Sequence, residues 1–282
     1  GADDPRRVLT LVPTLAGDAY YESADGDCFR LYDFVEGSLC LERAQSESEF
    51  AASGEAFGAF QKRLADFPAH TLSEVITHFH DTPARFEQLE NAIAQNAANR
   101  ARFALPEIDF ALERKARGGE MTGMRARGEL PLRVTHNDTK LNNVLLDAVT
   151  RRPLCVIDLD TVMPGLAAND FGDSIRFGAS TASEDERDLS KVTLSLSLFK
   201  AYAQGFLSAC GKSLTPLEIE TLPLGAYLMT LECGIRFLAD YLNGDTYFHV
   251  AREGHNLDRC RTQFALIADM EAKWGRMADI VR

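Results

Sequence analysis

The stretch Val134–Gly172 reads VTHNDTKLNNVLLDAVTRRPLCVIDLDTVMPGLAANDFG. Two short apolar runs, Asn143–Leu146 and Leu154–Ile157, flank a segment rich in Asp, Thr, Arg and Pro. Their Val and Leu content and the breaker between them predict a β-hairpin. Polar residues gather at its ends. His136, Asn137, Asp138, Lys140, Asn142 and Asn143 precede the first run, and Asp158, Asp160 and Thr161 follow the second.

The spacing His136-x-Asp138-x4-Asn143 is that of a kinase catalytic loop. In such a loop the Asp accepts the proton of the acceptor hydroxyl and the Asn binds Mg²⁺, so Asp138 is the candidate base. A second metal-binding Asp is expected one hairpin later, where Asp158 follows Cys155-Val156-Ile157. A transferring phosphoryl group carries spread negative charge, and oxygen ligands are needed to hold the Mg²⁺ that offsets it. Asn143 and Asp158 are therefore the candidate metal ligands. Lys140 is the candidate cation for the γ-phosphate, the other reading being a solvated surface lysine. His136 reads as a brace for the loop backbone. The literal Asp170-Phe171-Gly172 comes too late after the second run to supply the metal ligand, and reads instead as a buried carboxylate capping backbone N–H groups.

These residues resemble the aminoglycoside phosphotransferase and choline kinase superfamily. More narrowly, THNDTKLNNVLLD at Thr135–Asp147, CVIDLDTVMPG at Cys155–Gly165 and DFGDSIRFG at Asp170–Gly178 resemble bacterial N-acetylhexosamine 1-kinases. Those are cytoplasmic enzymes that phosphorylate the anomeric hydroxyl of GlcNAc or GalNAc. Weaker likeness covers FHDTPARF at Phe79–Phe86 and RFLADYLNGDTYF at Arg236–Phe248. The resemblance implies a protein-kinase-like, two-lobed α+β fold with a mostly helical C-lobe, and ATP and Mg²⁺ as cofactors. It implies a small-molecule sugar and a nucleotide as partners, with Asn137, Asp160, Thr161 and Arg236 at the sugar. It also makes the segment from His78 one wall of the sugar site. For Arg236 the residues themselves also allow an ion pair with Asp240, four positions on.

Of the 282 residues, 45% are hydrophobic, enough for one large or two modest cores. The net charge of −12 argues against nucleic-acid and anionic-membrane partners. Six scattered cysteines show no C-x-x-C pair or zinc spacing and read as buried reduced thiols. No membrane-length run or signal peptide is found, and a cytoplasmic location is expected. Composition assigns no oligomeric state.

Residues 1–44 read as the remainder of an N-lobe and 45–282 as the C-lobe. Strands are expected over Arg6–Thr14, Ala19–Glu22 and Cys28–Phe34, the last two joined through Asp25-Gly26. Asp33, Phe34 and Val35 resemble the inter-lobe hinge whose backbone meets adenine. No Gly-rich loop precedes Arg6 and no lysine precedes Lys62, so the N-lobe reads as truncated. Helices are expected from Ser46, over Pro83–Arg102 with Thr82 as cap, and over Pro106–Arg117. A Gly-rich charged stretch, Arg117–Glu129, follows. Further helices are expected from Ser183 to about Ala209 behind a capping box, from Thr215 to about Leu242 behind another, and from Asp258 through Ile280. His78-x-His80 invites a metal reading beside that of a loop ending in a cap.

Three other functions compete. Cys155–Val162, CVIDLDTV, also resembles the first motif of haloacid-dehalogenase-type phosphatases, although helices rather than parallel strands are expected after it. The absent Gly loop would suit a kinase-like binding module without catalysis, while the intact Asp138, Asn143 and Asp158 oppose that. The third is a kinase of the same superfamily acting on a different small hydroxyl compound.

Overall fold

The computed structural model describes residues 4–282. Strands β1 (Tyr21–Glu22) and β2 (Cys28–Phe29) pair antiparallel, with Gly26 in the left-handed region between them. The strand expected over Arg6–Thr14 does not form. Asp4 caps a single 3-10 turn at Pro5–Arg7, and Leu11 makes only an isolated bridge to Tyr32. Strand β3 (Ser38–Cys40) follows.

Helix α1 (Glu47–Arg63) starts behind Ser46, whose hydroxyl accepts the Glu49 N–H, and buries Phe50 and Phe57. Phe67 lies past its end and is exposed. Helix α2 (Thr82–Gln95) is capped by Asp81 rather than Thr82. It stops at left-handed Asn96, short of Arg102, because an Asn in that conformation closes a helix as Gly does. Helices α3 (Leu105–Glu113), α4 (Lys115–Gly118) and α5 (Glu120–Ala126) follow, so the Gly-rich stretch is partly helical. Then come β4 (Arg133–Thr135), β5 (Val144–Asp147), β6 (Pro153–Val156), β7 (Met163–Gly165) and α6 (Ala167–Gly178).

Ser183-x-x-Glu186 does not open a helix. The Glu186 N–H returns to the Ser183 carbonyl, and Glu184 is drawn to Arg176. Helix α7 (Leu196–Cys210) is capped instead by Ser195. The Thr215–Glu218 capping box does form, but it opens only α8 (Pro216–Glu220) before a break at Thr221. Helix α9 (Leu222–Asn243) then runs to left-handed Gly244. Helix α10 (His255–Ala272) begins after Gly254, and Asp258 pairs with Arg252 instead of capping. Helix α11 (Trp274–Val281) ends the chain's helical part.

The expected hairpin is the β5–β6 pair, the centre of a three-stranded sheet ordered β3-β5-β6. A separate β4–β7 pair crosses beside it. Every strand pair among the described residues is antiparallel, which removes the phosphatase reading, since that motif belongs to a parallel sheet. Cys28 and Cys40 are exposed, so burial holds for Cys155, Cys210 and Cys260 but not for all six thiols.

Helix α9 lies at the centre of the core, packed by α2, α6 and α10. By length and composition alone it could cross a membrane, contrary to the sequence expectation, and 83% of its apolar window is buried inside this fold. Its contact with α6 is close because Gly172 and Gly225 face each other's helix. A Cβ on Gly172 would overlap the Gly225 carbonyl, and one on Gly225 would overlap that of Ala168. Gly172→Ala is expected to lower stability by about 1–3 kcal/mol, the scale of overpacking a filled interface. Urea denaturation would measure it, and an unchanged midpoint would mean that the crossing can yield.

Candidate active site

Helix α6 organises the catalytic loop. The Asp170 carboxylate, fully buried, accepts the backbone N–H groups of His136 (2.9 Å) and Asn137 (2.8 Å) and the Gln61 amide (2.7 Å). Burial pushes its pKa up against these donors. One turn on, Asp173 accepts the Thr139 N–H at 3.0 Å, and the Ser174 hydroxyl donates to the Thr139 carbonyl at 2.6 Å. Residues 170, 173 and 174 share one helix face, so consecutive loop peptides meet successive side chains. The Asp170 reading from sequence is thus borne out by its contacts.

His136 braces the loop to the hairpin. Its Nε2 donates to the Ile157 carbonyl at 2.9 Å, and its Nδ1 accepts the Asp138 N–H at 3.3 Å. The rings of Phe57 and Phe60 pack edge-on against it. Asp138 is left partly open. Its Oδ1 pairs with Lys140 Nζ at 2.8 Å, and its Oδ2 accepts Asn143 Nδ2 at 3.0 Å. Asn143 Nδ2 also donates to the Asp138 carbonyl, which leaves Oδ1 as the open acceptor of Asn143. Lys140 is not a freely solvated side chain. Burial opposes its charge, but Asp138 and Asp173 outweigh it and raise its pKa.

Asp158 follows β6 in a left-handed conformation (φ 59°). The Ile157 N–H bonds the Asn143 carbonyl at 2.9 Å, so the two candidate metal ligands are neighbours across the hairpin. The Asp158 side chain caps no backbone group there. Asn137 is also left-handed (φ 66°), and its amide donates to the Thr135 and Thr161 carbonyls. The Thr161 hydroxyl donates to the His136 carbonyl at 2.7 Å.

Asn137, Asp138, Lys140, Thr161 and Arg236 line one cavity of about 530 Å³. Asp160 is not part of that lining and pairs with Arg30. The ion pair considered between Arg236 and Asp240 does not form. Asp240 instead accepts the N–H groups of Thr246, Tyr247 and Phe248 and the Asn256 amide. That tie holds Tyr247 and Phe248 against the Arg236 guanidinium, which lies 5.7 and 5.3 Å from their ring centroids and 6.0 Å from Phe79.

In the segment expected to form the hinge, Val35 is buried against Leu154 and Cys155 beside the hairpin. Phe34 is exposed, and the Asp33 N–H is taken by the Thr10 carbonyl. The two histidines of His78-x-His80 part company. His78 pairs with Asp81 at the surface, whereas His80 is buried between Glu232 and the Asn137 carbonyl. Sequence reasoning passed over Gln61 and Glu232, and it read His80 as a possible metal ligand, a loop residue before a cap or part of a sugar-site wall rather than as a partner of the Asn137 carbonyl. It also passed over Asp173 and Ser174, although their i+3 and i+4 spacing from Asp170 was a visible signal.

A model of the phosphotransferase enzyme family matches residues 5–196. Among solved structures, the fold is similar to an aminoglycoside phosphotransferase from Alicyclobacillus acidocaldarius subsp. acidocaldarius DSM 446. That match has a TM-score of 0.66 and 14% identity, and covers 98% of this chain and 78% of that one. A microcompartment-associated aminopropanol kinase matches with a TM-score of 0.56 and 17% identity, over 98% and 78% of the two chains. A choline kinase from Cryptosporidium parvum Iowa II matches with a TM-score of 0.53 and 16% identity, over 96% and 75%. At these identities the likeness is one of fold, protein-kinase-like with a helical C-terminal part.

Asp170→Asn replaces one acceptor oxygen with an amide facing N–H donors. Each buried donor left unpaired costs about 1–3 kcal/mol, so a loss of about 2 kcal/mol or more is expected in chemical denaturation. Faster hydrogen exchange at the His136 and Asn137 amides should accompany it. Unchanged exchange there would show that the carboxylate does not hold the loop.

Proposed function

This chain belongs to the phosphotransferase enzyme family, and on that premise we propose that it transfers the γ-phosphoryl group of ATP to a hydroxyl of a neutral sugar, the anomeric hydroxyl of an N-acetylhexosamine. The observation that carries the reading is Asp138, held by Lys140 and Asn143 at the wall of a cavity that Arg236 also lines. The acceptor oxygen forms its bond to phosphorus as its proton passes to the Asp138 carboxylate, and ADP departs. Asn143 fixes one oxygen of that carboxylate and Lys140 the other. Lys140 also puts a positive charge where the phosphoryl group arrives. Asp33, Phe34 and Val35 are the segment proposed to meet the adenine.

The open Oδ1 of Asn143 and the carboxylate of Asp158 are hard oxygen donors of the kind that suits Mg²⁺. When bound, the ion would neutralise charge on the phosphates. Thr161, Asn137 and Arg236 are proposed to line the sugar site. Asp160, paired with Arg30, would have to leave that partner to reach a sugar.

Arg236 also favours a neutral acceptor over a cationic one. Its guanidinium stands in the cavity with aromatic rings and the Tyr247 hydroxyl around it, and no carboxylate pairs with it among the described residues. Choline, ethanolamine, aminopropanol or an aminoglycoside would bring a like charge toward it.

A panel of GlcNAc, GalNAc, choline, ethanolamine, aminopropanol and an aminoglycoside, scored by coupled ADP release, tests the reading. The hexosamines should be preferred, and preference for a cationic acceptor would overturn it. Asp138→Asn should fold normally and lose roughly 10²-fold or more in kcat, the scale of general-base catalysis. Near-normal turnover would remove Asp138 as the base. Asn143→Ala and Asp158→Ala should each raise the Mg²⁺ concentration needed for half-maximal rate. A wild-type Mg²⁺ dependence in both would place the metal elsewhere.

A further inference from the structure

His80 lies 57 residues before Asn137 in a turn ahead of α2, and its side chain, 11% exposed, packs against the loop. Its Nε2 is 3.1 Å from the Asn137 carbonyl oxygen and its Nδ1 is 3.2 Å from Glu232 Oε1. Glu232, on α9, is 2% exposed, and its second oxygen accepts the Thr82 hydroxyl at 3.1 Å. We infer that His80, backed by Glu232, grips the Asn137–Asp138 peptide as an imidazolium and thereby positions the catalytic base.

The protonation state follows from the partners. A carbonyl oxygen and a carboxylate oxygen both accept, and neither donates. Both contacts are filled only when the ring carries a proton on each nitrogen, because a neutral imidazole has one N–H to offer. Asp173 on α6 adds a second negative charge nearby, while Lys140 and Arg176 stand close to Asp173 and oppose it. On α2 and α9, Arg85 and Arg236 face the same quarter as Glu232. Burial works against the imidazolium, but Glu232 and then Asp173 outweigh it, and the His80 pKa stands above the ordinary histidine value.

The gripped peptide explains the consequence. Asn137 is left-handed, a conformation that side-chain-bearing residues hold only when their surroundings impose it. Its N–H is held by Asp170 and its side chain by Thr135 and Thr161, all from the loop, hairpin and α6. The carbonyl alone is held from outside that unit, by His80. The other side of the same peptide, the Asp138 N–H, is held by His136. One peptide plane is thus fixed between two imidazoles, and it leads directly into the Asp138 side chain. Loss of one His80 proton leaves a single N–H for two acceptors, and the buried Glu232 carboxylate competes for it more strongly than the neutral Asn137 carbonyl, which loosens the grip on the peptide. Glu232 and His80 both line the acceptor cavity, so the clamp also joins the acceptor's wall to its base.

The inference rests on Asp138 being the base, and the test separates the two. NMR titration of the His80 ring, assigned by its loss in His80→Gln, reads the clamp without any turnover. The imidazolium should persist above the ordinary histidine range, and Glu232→Gln should move its titration to lower pH. In kinetics, Glu232→Gln should shift the alkaline limb of kcat/KM the same way. His80→Ala should lose roughly tenfold to a hundredfold in kcat, as for a misplaced catalytic group. His80→Gln, which keeps a donor for Asn137, should recover part of that rate and lose the alkaline limb. A purely structural His80 would lower stability without moving the limb. A ring that is neutral at neutral pH, or wild-type kcat in His80→Ala, overturns the proposal. If the titration behaves as stated but Asp138→Asn stays active, the base assignment fails instead.

Discussion

A carboxylate sealed from solvent is tolerated only when enough donors surround it. Asp170 meets that requirement with the amides of the two residues just before Asp138 and the side chain of Gln61. The loop cannot shift without unpairing a buried charge, so Asp138 inherits the rigidity of α6. That helix is fixed in turn by its close crossing with α9 and by the aromatic cluster of Phe171, Phe199, Tyr202 and Phe206. The Tyr202 hydroxyl carries the tie back to the site by donating to Ser174, which donates to the Thr139 carbonyl. The placement of the Asp138 carboxylate therefore follows from how tightly two core helices approach.

What was legible in the sequence was local. The hairpin and the Thr215–Glu218 box depend on residues a few positions apart, and both form, although the box opens only the short α8. The failures came where a distant group won the competition for a side chain. Glu184 beside the Ser183 box is taken by Arg176, and the box residues close a turn instead. Asp240, which could have met Arg236 one turn before it, is filled by the backbone of 246–248. Asp258 is claimed by Arg252, and α10 starts without it. Gln61 and Glu232 sit on amphipathic or apolar helices where nothing in the local pattern separates a site residue from a satisfied core polar group. Only the fold brings them to the loop.

The net charge of −12 says little about the site itself. Around the cavity, Lys140, Arg176, His80 and Arg236 face Asp138, Asp173, Glu184 and Glu232. Three of those cations are paired: Lys140 with Asp138, Arg176 with Asp173 and Glu184, and His80 with Glu232. Arg236 is held by rings instead. Cation–π contacts of this kind contribute less than a buried ion pair, so the guanidinium keeps most of its demand for acceptors. On the proposed reading, sugar hydroxyls would meet that demand at one edge while C–H faces rest on the aromatic rings.

Two of the seven non-glycine residues with a left-handed backbone, Asn137 and Asp158, stand beside the proposed chemistry. Asn137 precedes the base and Asp158 ends the strand beside Asn143, and both are left-handed without being glycine. Asparagine and aspartate bear that conformation better than most residues, but it still lies above the relaxed chain in energy. The surroundings of Asn137 compensate, since its amide, its N–H and its carbonyl are all bonded. Asp158 lacks comparable support, because its side chain caps nothing in its own turn. A strained carboxylate with open oxygens is stabilised once a cation takes it up. On the proposed reading, a cation at Asp158 would give that carboxylate the partner its own turn does not supply, whereas Asn137 is held by protein groups alone.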